Sequence, residues 1–354
     1  MKLLLLAGLA LSSALGLMAQ DTPSGHDEPV RTLHVYTDLV QMPTLVLNQN
    51  RTRIDPRIGE RRFSIRVDAG PWFRVTHVRP EGDDPISLSI LLDPSAMDLM
   101  PNLSRQIADL APIFLTPRDH VSLYSLGCGL TRSLDDKPAD NASLLDRVDV
   151  LLAPWRAPGG NEPHCTQQPV YLWDALGFIS SQMEELPGRR VILVLTDGLD
   201  KGSVRKWNEI RGFVQVAGIA VFGITMPFRS SSAVPVSSGN DVYPFLSICE
   251  LSGGILMPTT PELIEATLLR AMAMLRERYI LEFPRPSNST QGVHNVEVKI
   301  AGGDKYYVRP TGVTVPLPDD SVLKDPTTVP SDPSRAPEQG KRRVLTQPPM
   351  SPKH

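Results

Sequence analysis

Two stretches decide the fold: Ile86-Ser87-Leu88-Ser89-Ile90-Leu91-Leu92-Asp93 and, further along, Val191-Ile192-Leu193-Val194-Leu195-Thr196-Asp197-Gly198. Each is a near-continuous apolar run that ends in an acid. Runs of this length with helical patterns between them predict parallel strands covered on both faces. In an open parallel sheet, the loops leaving the carboxyl ends of neighbouring strands form the crevice where ligands bind. Asp93 and Asp197 are therefore expected to converge on one rim.

Outward from these strands, residues 85–278 alternate between strand and helix. Leu103, Ile107, Leu110 and Phe114 fall at helical spacing, and Val121 to Leu126 reads as the next strand, with an antiparallel partner near Leu130 to Leu134. Asn141 is the expected cap of the helix carrying Leu144, Val148 and Leu151. A Pro- and Gly-rich loop runs from Pro154 to Pro169. Helices near Leu172 to Met183, Val204 to Val216, Tyr243 to Leu251 and Pro261 to Arg276 then alternate with strands ending at Asp197, Thr225 and Met257. The fold class that follows is α/β, a doubly wound, mostly parallel six-stranded sheet.

Both flanks carry period-two text instead. Leu33 and Val35, Leu45 and Leu47, Phe63, Ile65 and Val67, and Phe73 and Val75 precede the sheet; Tyr279 to Phe283, Val293 to Ile300 and Tyr306 to Val313 follow it. Residues 30–84 and 279–315 then form one small antiparallel β domain into which the α/β unit is inserted, with the ends of the insertion close together. From residue 316 to 354 proline is frequent and apolar periodicity stops, which predicts a disordered tail.

The chain has 354 residues, a 41% hydrophobic fraction and a formal charge of −3, enough to bury one or two cores and no electrostatic case for nucleic acid. Residues 1–19, with Lys2 ahead of an apolar run, read as a secretory signal peptide, and no later segment is apolar enough to span a membrane. The mature protein is expected to be secreted or periplasmic. Three cysteines are too few for a disulfide framework. The turn holding Cys128 and the loop holding Cys165 both belong on the carboxyl rim, so these two are the expected disulfide, with Cys249 a buried thiol.

The α/β region resembles a von Willebrand factor type A domain, and the whole chain resembles exported bacterial proteins that carry this domain between β-rich arms. The residues behind the resemblance are Asp93 with Ser95, the run Trp173-Asp174-Ala175, and Arg190 to Gly198. It implies a metal-ion-dependent adhesion site in which three loops hold Mg²⁺ or another divalent cation, a hard ion that prefers oxygen ligands. Asp93, Ser95 and Asp197 match that pattern. Met97 stands where a second Ser is expected, and Val170 stands where a Thr is expected, so two oxygen ligands are missing and the site is degenerate. Thr166 and Asp98 are the neighbouring oxygen donors that would supplement it, and no cofactor is required by the rest of the sequence.

Other chemistry has less support. Ser95, His164 and Asp197 make a hydrolase triad on paper, but no Gly-x-Ser-x-Gly elbow presents a nucleophile. Cys128, His164 and Cys165 lack the Cys-x-x-Cys spacing of a zinc site. The reading is a non-enzymatic binding or adhesion module that meets a protein, matrix or cell-envelope partner with its carboxyl rim. A hydrolase in the same crevice and a structural envelope protein with an inactive metal site are the alternatives.

Overall fold

The computed structural model describes residues 34–36, 39–53, 58–82, 84–94, 102–156, 170–200, 202–226, 243–284, 292–302, 305–311, 313–315 and 328–330. The first arm supplies β1 (His34–Tyr36), β2 (Leu39–Asn48), β3 (Phe63–Val67), β4 (Phe73–Arg74) and β5 (His77–Pro80). The central region follows with β6 (Ile86–Leu92), α1 (Leu103–Phe114), β7 (His120–Ser125), β8 (Thr131–Pro138), α2 (Asn141–Arg156), α3 (Leu172–Met183), β9 (Arg189–Thr196), α4 (Trp207–Val216), β10 (Ile219–Thr225), α5 (Pro244–Leu251), β11 (Leu256–Pro258) and α6 (Ile264–Arg276). The second arm is β12 (Tyr279–Pro284), β13 (Gly292–His294), β14 (Val296–Ile300), β15 (Tyr306–Pro310) and β16 (Val313–Val315), with β17 (Thr328–Pro330) beyond it.

The central strands form one six-stranded sheet in the order β11-β10-β9-β6-β7-β8, parallel throughout except for β8, which runs antiparallel to β7. Why β6 and β9 are mostly apolar is visible in their packing. Ile86, Leu88, Ile90 and Leu92 join Val191, Leu193 and Leu195 in one core with residues of α1, α2 and α6, whereas Leu91, Ile192 and Val194 face a second core with residues of α3, α4 and α5. A strand covered on both sides favours apolar residues and admits small polar ones such as Ser87, whose hydroxyl donates to the Pro187 carbonyl at 2.7 Å, while each fully buried aliphatic side chain adds about 1.5–3 kcal/mol.

The two arms share sheets, as the alternating text on either side predicts. One sheet runs β15-β2-β12-β5 and another β14-β3-β4, so each combines strands from before and after the insertion. Their common core holds Val40, Met42, Val46, Phe63, Ile65, Leu281 and Phe283, while Leu45 and Leu47 of β2 point the other way into the first core of the central sheet. The ends of the insertion are tied directly. Glu81 N–H donates to the Arg278 carbonyl at 2.7 Å and Gly82 N–H to the Arg276 carbonyl at 3.0 Å. Arg278 and Glu81, both buried, form a two-point ion pair at 2.6 and 2.8 Å. Arg276 reaches the carbonyls of Phe114 and Asp84 and the carboxylate of buried Asp119, which also accepts Ile86 N–H at 2.8 Å.

Several local expectations change. The cap of α2 is Asp140, whose carboxylate accepts Ser143 N–H at 3.0 Å, and Asn141 is the first helical residue. The strand expected over Val293 to Ile300 divides at Asn295, because β13 pairs with β16 while β14 pairs with β3. Tyr306 to Val313 divides in the same way between β15 and β16. The proposed signal peptide, the loop with His164 and Cys165, and residues 316–327 and 331–354 of the tail expected to be disordered lie outside the described residues; between them β17 pairs in parallel with β1. Among the described residues no helix is long and apolar enough to cross a membrane.

Candidate functional site

The sheet order places β6 next to β9, and from this pair the chain winds outward in opposite directions. Such a reversal is the topological switch point, where the loops beyond the carboxyl ends leave a crevice. The register sets Leu92 opposite Leu195. Asp93 N–H donates to the Leu195 carbonyl at 2.8 Å, and the Thr196 hydroxyl donates to Asp93 Oδ2 at 2.8 Å. Asp197 comes next in the chain, so the two acids of the sequence reading stand side by side at the rim, 7% and 9% exposed. Leu199 N–H donates to Asp197 Oδ1 at 2.8 Å, and Gly198 N–H donates to Thr196 Oγ1 at 3.1 Å.

Gly198 is required twice over. Its φ of +77° is a conformation that L side chains rarely adopt, and a Cβ there would lie 2.2 Å from the Tyr243 hydroxyl. That hydroxyl approaches the Asp197 carbonyl at 3.4 Å. Burial, reinforced by the charge of Asp197, pushes the Tyr243 phenol up to about 12, so it stays protonated and able to donate.

The start of α3 forms the next part of the rim. Tyr171 at its N-cap offers no side-chain bond. The orphan N–H groups of Trp173 and Asp174 instead donate to Ser203 Oγ, both at 3.1 Å, and Ser203 donates to Asp200 Oδ1 at 2.6 Å. In return the Asp174 carboxylate accepts Val204 N–H at 2.9 Å and Arg205 N–H at 3.0 Å. Asp200 and Ser203 did not stand out in the sequence, since their partners lie about thirty residues away. Their only local signal is the spacing of small and acidic residues after Asp197-Gly198. The exchange braces the loop between β9 and α4, which holds Leu199 at 44% exposure and Val204 at 92%.

With the reversal at β6 and β9, an antiparallel β8 at the sheet edge and paired acids at the switch point, the architecture is decided. The central fold is von Willebrand factor type A-like. No family model and no curated protein matches the chain. Solved structures do. The conserved hypothetical protein BatB from Bacteroides thetaiotaomicron is similar at 15% identity, with 54% of this chain and all of that chain covered and a TM-score of 0.37. Proximal thread matrix protein 1 from the mussel byssus is similar at 12% identity over 59% of this chain and 51% of that one, with a TM-score of 0.43. The vWF domain of the type V pili tip protein Mfa5 from Porphyromonas gingivalis is similar at 10% identity over 55% and 97%, with a TM-score of 0.36.

Of the cation ligands expected from the sequence resemblance, Asp93 and Asp197 are among the described residues. Asp93 Oδ2 is engaged by the Thr196 hydroxyl and Asp197 Oδ1 by a backbone N–H. The side chain of Val170 offers no oxygen and packs against the second core. Among the described residues no three His, Cys, Asp or Glu side chains cluster as a metal site. Ser95, Met97, Asp98 and Thr166 lie outside the described residues. Cys128 is disulfide-bonded and Cys249 is a buried free thiol, whose burial pushes its pKa up.

Proposed function

We propose that this chain is an exported, non-enzymatic binding module that meets a protein partner with the rim beyond β6 and β9, and that it does so without depending on a tightly held metal. The observation that carries the reading is the braced loop: Val204, an aliphatic side chain at 92% exposure, sits on backbone fixed by the Asp174 carboxylate. Single exposed apolar residues are ordinary. An apolar side chain on a loop whose geometry is already fixed loses little entropy on binding, and that is the economy of a preorganised contact. The missing oxygens at Met97 and Val170 leave Asp93, Ser95 and Asp197 as a degenerate cation site.

The test has two readouts on the mature chain. Immobilised protein is challenged with envelope extract from its source cells in the presence of a chelator, alongside the double variant Leu199→Asp/Val204→Asp. Retention of a specific protein in chelator, lost in the variant at an unchanged unfolding midpoint, is the expected outcome. Equal retention by the variant would remove the rim from the interface. Calorimetry with Mg²⁺ is expected to give affinity weaker than the micromolar range of calcium sensors, about 10⁻⁷–10⁻⁵ M. The variant Met97→Ser/Val170→Thr, which completes the oxygen set, is expected to bind more tightly; micromolar binding by the unaltered chain would sink the degenerate-site reading.

A further inference from the structure

Beside Val204 the rim holds a cation without a counter-ion. Arg205 is exposed, the one hydrogen bond it donates among the described residues comes from its backbone N–H, to Asp174 Oδ1 at 3.0 Å, and no carboxylate lies within ion-pair reach of its guanidinium. Exposed arginines are ordinary, and one free to swing in water must be ordered before it can bind. Arg205 is already ordered at two points. Its backbone is tied to Asp174, and its stem lies across Gly177 of α3, where a Cβ would come within 2.9 Å of Arg205 Cδ, 3.1 Å of Arg205 Nε and 3.0 Å of Ile210 Cδ1. A glycine in mid-helix is unfavourable to the helix itself, so the close approach of the arginine stem and of α4 is what this one serves.

The charge around Arg205 is one-sided. The acids of the rim are spent on the protein: Asp174 accepts the backbone N–H groups of Val204 and Arg205, Asp200 those of Gly202 and Ser203, and Asp93 the Thr196 hydroxyl. The cations are not. Lys206 is exposed at the N-cap of α4, and Arg211 stacks on Trp207 at 5.1 Å; neither has a carboxylate within ion-pair reach among the described residues. Glu209 is the single acid of α4. Cations at the amino end of a helix oppose its dipole, so Arg205 and Lys206 gain nothing from local electrostatics there. A carboxylate from outside would answer them.

We infer that the rim recognises an acidic, apolar segment of a protein partner: a carboxylate of that segment forms a two-point pair with Arg205, an adjoining aliphatic side chain packs on Val204, and Lys206 adds attraction without direction. The inference rests on the rim reading above and names the chemistry of its partner. The planar fork of arginine matches a carboxylate at two points, and a stem already in place reduces the entropy lost on pairing. Val204 is the most exposed of the large apolar residues described. A sulfated polysaccharide or a nucleic acid would leave it in water, whereas a protein segment covers it.

The probe is a bead library of random dodecapeptides, screened with the mature chain in chelator at physiological salt, with the affinities of the hits measured by fluorescence anisotropy. Hits are expected to carry Asp or Glu close to Leu, Ile or Val. Exchange of that acid for its amide should weaken binding about tenfold or more, the size of a lost charge-assisted contact. Arg205→Gln should weaken the acidic peptide by a similar factor and leave the amide peptide unchanged, which marks the two groups as one pair. Arg205→Lys, which keeps the charge and loses the fork, should fall between. Val204→Ser should weaken the acidic and amide peptides alike, by several-fold. Unfolding midpoints of all three variants are expected to stay unaltered, since these side chains lie on the surface. Undiminished binding by Arg205→Gln with weakened binding by Val204→Ser would overturn the pairing and leave the rim as the contact surface. Undiminished binding by both would overturn the rim reading as well. Absence of hits, hits without acids, or heparin or phosphatidylglycerol vesicles bound more tightly than any peptide would each overturn the acidic segment as the partner.

Discussion

Arg278 and Glu81 show how much a single pair contributes to holding an inserted unit in place. Both side chains are essentially inaccessible to solvent, and they join the residue that enters the central fold to the one that leaves it. Two charges taken out of water are expensive, and their attraction repays this only while both are present. Arg278→Met should therefore cost about 3–5 kcal/mol, because it strands the Glu81 carboxylate. Adding Glu81→Leu should recover most of that loss. Urea unfolding of the two variants decides the matter: a double variant as unstable as the single one would show that the pair itself, and not an unpaired charge, holds the junction. The sequence exposes neither residue as special, since a lone Glu and a lone Arg carry no local mark of their pairing. Asp93 and Asp197 were legible by contrast, each standing at the end of an apolar run where topology alone fixes its place.

At the scale of an element, α3 illustrates what a local reading misses. Its span from Leu172 to Met183 agrees with the helical pattern, because burial of Leu172, Ala175, Leu176 and Ile179 repeats at the helical period. Its cap is tertiary. Ser203, from the next loop but one, accepts the two N–H groups that Tyr171 leaves open, and no spacing rule links positions so far apart. The α2 cap was displaced by one residue for a different reason: Asp140 and Asn141 are adjacent and both suit the position, so the sequence does not choose between them. Ser203→Ala is expected to destabilise the protein by about 1 kcal/mol, within the range for loss of an N-cap. It should also speed hydrogen exchange at Val204 and Arg205, which depend on Asp174 being held. Unaltered exchange at those amides would mean that the loop is fixed by something other than this cap.

For the whole molecule, the consequence of the insertion is that the most distant parts of the chain are close neighbours. β2 and β12 pair along six residues, and β2 also pairs with β15, so the β domain needs both arms, from either side of the central fold. The alternation of apolar residues made the arms legible, but not how they divide into sheets, because β13 and β14 read as one strand until the pairing partners are known. The same long-range logic applies to the cysteines. Cys249 is fully buried in the second core as a free thiol, and burial disfavours its thiolate, the form that forms disulfides. Cys128, beside the rim, is disulfide-bonded. We propose Cys165 as its partner, which would tie the turn after β7 to the chain ahead of α3 and so brace the rim. A bridge closing that span should add about 3–4 kcal/mol in the chain-entropy view, and reduction should remove it. Peptide mapping of the exported protein without reduction is expected to recover Cys128 and Cys165 in one linked peptide and Cys249 free. Recovery of Cys128 and Cys165 as thiols would refute the pairing, and an unfolding midpoint insensitive to reductant would show that the rim owes its rigidity to hydrogen bonds alone.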